Sequence, residues 1–185
     1  MNLANKISIG RIILIPFFIS AIVYSRKDIA LAFFLLAIVS DGVDGLIARS
    51  MKQKTRFGTI IDPVADKLLL ISAYICLSVS GSMPFEFKMP PYVPIIVISR
   101  DVIIVLGSVM VHMITGSLEV KPSVIGKLTT FFQMVTIISV LVQFKYSYAV
   151  WNTMVLLTIA SGIDYVMKGS RLLTENHSTL KKAGS

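Results

Sequence analysis

Six apolar segments divide this chain, at about Ile9–Ser25, Ile29–Ser50, Phe57–Ser82, Val93–Thr115, Ser123–Phe144 and Tyr148–Lys168. Each is long enough to cross a bilayer when tilted, since a span needs roughly 20 residues. Together they use most of the 185 residues and leave no room for a second, soluble domain. In hydrocarbon every backbone polar group must be satisfied within the protein, which a continuous helix achieves by itself. The expected class is therefore all-α: a polytopic membrane protein of six transmembrane helices, with a short interfacial helix before Ile9. Residues 1–172 make the membrane domain and 173–185 a polar tail. The stretch from Met83 to Tyr92, with Pro84, Pro90 and Pro91, reads as a loop. Composition agrees, at 55% hydrophobic and only 15% charged, against about 25% charged in a typical soluble domain.

The net charge of +8 admits nucleic acid as a partner in principle. Where the basic residues stand argues otherwise. With six spans, one side of the membrane collects Lys6, Arg49, Lys52, Lys54, Arg56, Lys121, Lys127, Lys168, Arg171, Lys181 and Lys182. The other side carries Arg26, Lys27, Lys88 and Lys145. That bias places both termini in the cytoplasm and makes the lipid bilayer, not nucleic acid, the charge's partner. Phe85, Phe87, Tyr92, Tyr146, Tyr148 and Trp151 fall where an interfacial aromatic belt is expected. After Tyr24 the chain reads Ser25-Arg26-Lys27 without a small-x-small cleavage pattern, so the first segment reads as an uncleaved span. The single cysteine, Cys76, lies in an apolar run and reads as a small buried hydrophobe.

The anomaly lies in the second and third segments. Asp41 and Asp44 stand three apart, and Asp62 and Asp66 four apart, so each pair shares one face of a helix. The short link from Arg49 to Phe57 makes the two helices antiparallel neighbours, with both pairs near the cytoplasmic end. Ionisable groups within spans are expensive and normally serve a cavity, a partner or an ion path. Four carboxylates at that distance repel strongly in a low dielectric. Divalent cations relieve the repulsion, and oxygen-only ligands favour Mg²⁺, Ca²⁺ or Mn²⁺ over zinc. Cations beside a basic loop suit a phosphate-bearing substrate. Gly42, Gly45, Ala48 and Gly58 remove bulk beside the carboxylates; that serves close approach by a ligand or close helix packing equally well. Arg49 reads either as a phosphate contact or as a topology anchor. For the aspartates the other readings are a salt network between helices and the ion site of a small transporter.

The pattern Asp41-x2-Asp44-Gly45-x2-Ala48-Arg49-x8-Gly58-x3-Asp62-x3-Asp66 resembles the full signature of the CDP-alcohol phosphatidyltransferase family. Asn2-x2-Asn5-x2-Ser8-x2-Arg11, Asp62-Pro63-Val64-Ala65-Asp66-Lys67 and Ile125-Gly126-Lys127 are similar to its glycerol-phosphate-using branch. Ser99-Arg100-Asp101 and Lys121-Pro122-Ser123 resemble instead the branch that forms cardiolipin. The resemblance implies an integral protein of the bacterial inner membrane, a homodimer, with its active site open to the cytoplasm. It implies that Asp41, Asp44 and Asp62 coordinate Mg²⁺ (or Mn²⁺), with Asp66 both a ligand and the general base. It sets Gly45, Ala48, Arg49, Thr55 and Gly58 around the CDP moiety of CDP-diacylglycerol. The acceptor is then glycerol 3-phosphate or, alternatively, phosphatidylglycerol. Arg100 and Lys127 are the candidate partners of its phosphate; Arg100 also reads as an ion pair with Asp101, and Lys127 as a snorkelling lysine. Against a transporter, the Gly-Ala-Arg decoration suits a nucleotide better than a bare ion.

Overall fold

The computed structural model describes residues 3–51, 56–79, 88–115 and 123–183, with side chains over 9–40, 67–79, 88–110, 113 and 123–170. It is helical at each of the six expected segments: α1 (Leu3–Val23), α2 (Lys27–Met51), α3 (Arg56–Val79), α4 (Tyr92–Thr115), α5 (Val124–Leu141) and α6 (Ser147–Ala183). The residues expected as a short interfacial helix are helical and run without a break into the first apolar helix. The last helix continues past Lys168 into the polar tail. Among the described residues, Tyr92–Met110, Val124–Leu141 and Ser147–Ser170 are long and apolar enough to cross a membrane. Ile9–Val23 and Lys67–Val79 are shorter apolar helices.

Two compact units emerge: Met1–Pro91 with Met134–Tyr148, and Tyr92–Gln133 with Ala149–Ser185. In the first, α1 packs against both α2 and α3. The buried face of α1 is Arg11, Ile15, Phe18 and Ile22, a one-stripe helical spacing. Opposite it α2 buries Ala30, Phe34 and Ala37, while α3 buries Leu70, Ala73, Tyr74 and Leu77. The alanines let helices approach closely, which is how packing is won where lipid is as apolar as the core. Tilted aromatic pairs join α1 to α2: Phe17 with Phe33 at 6.1 Å and Phe18 with Phe34 at 5.8 Å between ring centres.

The ends of α1 and α5 are closed by the same device. Ser25 and Gln143 each adopt φ of 58°. Arg26 N–H reaches Ala21 O at 2.8 Å while Ser25 N–H reaches Ile22 O at 3.0 Å. Phe144 and Gln143 repeat the pattern onto Ser139 and Val140. These are Schellman closures without the usual glycine, so each left-handed residue costs about 1–2 kcal/mol that the saved carbonyls offset.

In the second unit the buried stripe of α6 is Trp151, Met154, Val155, Thr158 and Ser161. Trp151 therefore departs from the expected aromatic belt: its position on this inward stripe overrides its place near the helix start, whereas Tyr92, Tyr146 and Tyr148 are exposed. Cys76, in the first unit, is half-buried. Polar bonds tie the second unit's helices together. The Tyr92 hydroxyl donates to Asn152 Oδ1 at 3.0 Å, and the Thr129 hydroxyl, bonded to Ile125 O at 2.8 Å, also stands 3.2 Å from Leu157 O. Helices α4 and α6 meet tightly at Gly107, where an added Cβ would lie 2.9 Å from Tyr165 Cε1. Gly107→Ala should therefore destabilise the protein by about 1–3 kcal/mol, the usual cost of overpacking. Thermal unfolding in detergent checks it, with Gly169→Ala, which meets nothing within 4 Å, as the silent control.

Candidate active site

Backbone helicity is unbroken along α2 and α3, so the register of their described halves carries into the carboxylate segments. On α2 the buried positions Ala30, Phe34 and Ala37 recur, at three- and four-residue steps, as Asp41, Asp44 and Ala48. On α3 the positions Leu77, Ala73 and Leu70 recur backwards as Asp66 and Asp62. All four aspartates thus occupy the register of the two buried stripes, at the α2 C-terminal and α3 N-terminal ends that one short link joins. The side chains of Asp41, Asp44, Arg49, Asp62 and Asp66, with the surroundings of Gly45, Ala48 and Gly58, lie outside the described residues, as does all of Thr55. Just before the first aspartate, the Ser40 hydroxyl donates to Leu36 O at 2.7 Å, turning its polarity back into its own helix.

The donor set fits a hard divalent cation. It offers carboxylate oxygens only, from two helices, in pairs whose members stand one turn apart. Zinc would call for histidine or cysteine, and neither stands in the carboxylate-bearing stretches Asp41–Arg49 and Gly58–Lys67.

Arg100 and Lys127 belong to the second unit. Arg100, on α4, is 8% exposed; its Nη1 donates to Asp101 Oδ1 at 2.8 Å and its Nη2 to Ser161 Oγ on α6 at 2.6 Å. The ion pair with Asp101 foreseen from sequence is present, and it makes a buried guanidinium affordable within a span. The Nε of Arg100 is buried and has no hydrogen-bond partner among the described residues. Two glycines border this side chain: a Cβ on Gly126 would lie 3.3 Å from Nη2, and one on Gly162 would lie 3.7 Å from Cγ. Ser123 caps α5, its hydroxyl accepting from Gly126 N–H at 3.1 Å. Lys127, one residue on, is exposed, as a lysine at a helix start can be while still near its neighbours. Asp164 pairs with Lys168 at 2.8 Å along α6.

Arg100 also lines a cleft of about 450 Å³ between α4 and α6 whose other walls are largely isoleucine, among them Ile95, Ile103, Ile159 and Ile163. Sequence reading missed Ser161 and Gly126 as neighbours of Arg100. Neither carries a charge, and the contacts join residues about 60 and 26 positions apart on different helices. Neither stands out locally, Ser161 lying between Ala160 and Gly162 and Gly126 between Ile125 and Lys127.

A family model for CDP-alcohol phosphatidyltransferase matches residues 1–163. The chain belongs to the CDP-alcohol phosphatidyltransferase family. It is 32% identical over 182 residues to a probable phosphatidylglycerophosphate synthase of Mycobacterium tuberculosis, covering 92% of this chain and 82% of that one. It is 26% identical over 181 residues to a CDP-diacylglycerol–glycerol-3-phosphate 3-phosphatidyltransferase of Aquifex aeolicus, covering 94% and 98%. A cardiolipin synthase (CMP-forming)/mitochondrial hydrolase fusion protein of Schizosaccharomyces pombe is 35% identical over 104 residues, 56% of this chain and 16% of that one.

Proposed function

We propose that this membrane enzyme moves the phosphatidyl group of CDP-diacylglycerol to glycerol 3-phosphate, giving phosphatidylglycerophosphate and CMP. The observation that carries the reading is the unbroken helical backbone, which sets Asp41, Asp44, Asp62 and Asp66 at the register positions of the stripes that the described halves of α2 and α3 bury. The names borne by the Mycobacterium tuberculosis and Aquifex aeolicus relatives supply the acceptor.

Asp41, Asp44, Asp62 and Asp66 would hold Mg²⁺ or Mn²⁺. Such a cation, when bound, neutralises pyrophosphate charge and stabilises the leaving phosphate. Gly45, Ala48, Thr55 and Gly58 give the CDP moiety room, and Arg49 offers its phosphates a charge-assisted bond. Asp66 accepts the proton of the acceptor hydroxyl as that oxygen attacks the phosphorus carrying the diacylglycerol. The bond from this phosphorus to the bridging oxygen breaks, and CMP leaves with that oxygen. Positioning and charge neutralisation do most of the work, as in other phosphoryl transfers. Arg100 and Lys127 meet the acceptor's own phosphate. The reading includes a homodimer in the bacterial cell membrane, with both termini and the active site on the cytoplasmic side, as the basic residues favour.

A second acceptor is supported by a specific observation. The cleft beside Arg100 is walled mainly by apolar side chains, which suits phosphatidylglycerol and hence cardiolipin formation, the activity in the name of the fission-yeast relative. Purified enzyme with labelled CDP-diacylglycerol and each acceptor in turn separates the two. The expected result is labelled phosphatidylglycerophosphate with glycerol 3-phosphate and no cardiolipin with phosphatidylglycerol. Product only with phosphatidylglycerol installs the second reading, and no CMP release with either acceptor removes both.

A further inference from the structure

We infer that Ser161, with Asp101, is a positioning residue for acceptor recognition: the two side chains fix the Arg100 guanidinium so that its Nε–H is presented to the acceptor's phosphate. The inference rests on the assignment of Arg100 to that phosphate. Its basis is how the guanidinium is held. Asp101 Oδ1 takes an Nη1 hydrogen at 2.8 Å and Ser161 Oγ an Nη2 hydrogen at 2.6 Å, from α4 itself and from α6. Two anchors on different helices fix both the place and the plane of a side chain that otherwise has many rotamers, and a planar fork loses its value for phosphate when it is free to turn. The anchors do not use Nε, which is buried and without a partner among the described residues. A buried donor left in that condition is costly, and such an atom calls for an explanation. An anionic ligand oxygen supplies one.

The surroundings are cut to the same shape. Gly126 leaves space where a Cβ would stand 3.3 Å from Nη2 and 3.4 Å from Ser123 Oγ. Ser161 is 2% exposed, so no water competes freely for its hydroxyl. A purely structural purpose would be met by the Arg100–Asp101 pair alone, since adjacent residues of one helix need no third partner to neutralise each other. The bond to α6 adds orientation, not charge balance.

The test is steady-state kinetics on the full-length enzyme in detergent-lipid micelles, varying glycerol 3-phosphate and CDP-diacylglycerol separately. Ser161→Ala should raise the KM for glycerol 3-phosphate by about tenfold or more, the loss expected for one hydrogen bond to a charged group. The kcat and the KM for CDP-diacylglycerol should stay within about twofold, and Ser161→Thr should restore most of the lost affinity. Gly126→Ala, which crowds Nη2 without removing a bond, should raise the same KM; Gly169→Ala, in open space on α6, should not. Arg100→Lys keeps the charge but loses the fork, and it should raise the acceptor KM at least as much as Ser161→Ala. If Arg100→Lys raises that KM while Ser161→Ala and Gly126→Ala leave it unchanged, the positioning role is overturned and the Arg100 assignment stands. If Arg100→Lys leaves it unchanged, the assignment itself fails and the inference goes with it. A fall in kcat and in unfolding temperature with both KM values constant would mark Ser161 as a packing residue only.

Discussion

Asp66→Asn is expected to lower turnover by about 10²–10⁴-fold, the usual contribution of a general base, while CDP-diacylglycerol still binds. The asparagine is nearly the same size and keeps an oxygen donor, but it cannot accept the proton of the attacking hydroxyl. Nucleotide binding persists because three carboxylates remain at Asp41, Asp44 and Asp62. A carboxylate beside a cation stays ionised and is a weak base, yet it needs only to receive the proton as the new bond to phosphorus forms. The measurements are single-turnover CMP release and equilibrium binding of a CDP-diacylglycerol analogue on the same preparation. A residual rate above roughly a tenth of wild type would remove Asp66 from the role of base. Loss of binding together with rate would assign it to holding the nucleotide instead.

Asp62→Asn, the second large effect, should abolish activity without unfolding the protein. Asp62 stands one turn before Asp66 on α3, in the register of the stripe that buries Leu70, Ala73 and Leu77. As a ligand it cannot be replaced by an amide, which lacks the charge that a hard divalent cation draws on. For the metal-free protein the sign reverses. Four carboxylates in two linked spans repel one another, so removing one charge relieves strain. The unfolding temperature of Asp62→Asn in excess chelator should equal or exceed that of wild type in the same buffer. Added Mg²⁺ should raise the wild-type value and leave the variant's nearly unmoved, because a ligand stabilises only the state that binds it. Wild-type enzyme should fall silent in the chelator and recover with Mg²⁺ or Mn²⁺. Full turnover in excess chelator would sink the metal reading altogether.

Much of this protein is legible in its sequence. The apolar runs dictated helices because no other element satisfies its own backbone in lipid, and all six appear near the expected bounds. The aspartate spacing dictated one face for each pair because 3.6 residues per turn leaves no alternative in a helix. A charge inside a span declares itself, so Arg100 and its bond to Asp101, an immediate neighbour in sequence, were also readable.

What the tertiary structure alone decided is how residues without a signal of their own are used. Trp151 left the expected belt because α6 turns that position inward, a rotation that no single helix specifies. Ser25 and Gln143 close their helices in the left-handed conformation where sequence rules look for glycine, since the saved hydrogen bonds outweigh a local penalty that only the finished turn reveals. Ser161 and Gly126 reach Arg100 from helices far away in sequence. A hydroxyl and a missing side chain are as common in packed membrane helices as in sites; only what they touch separates the two uses. Local periodicity and charge cost are written in the chain itself, whereas the pairing of helix faces depends on every contact being made together.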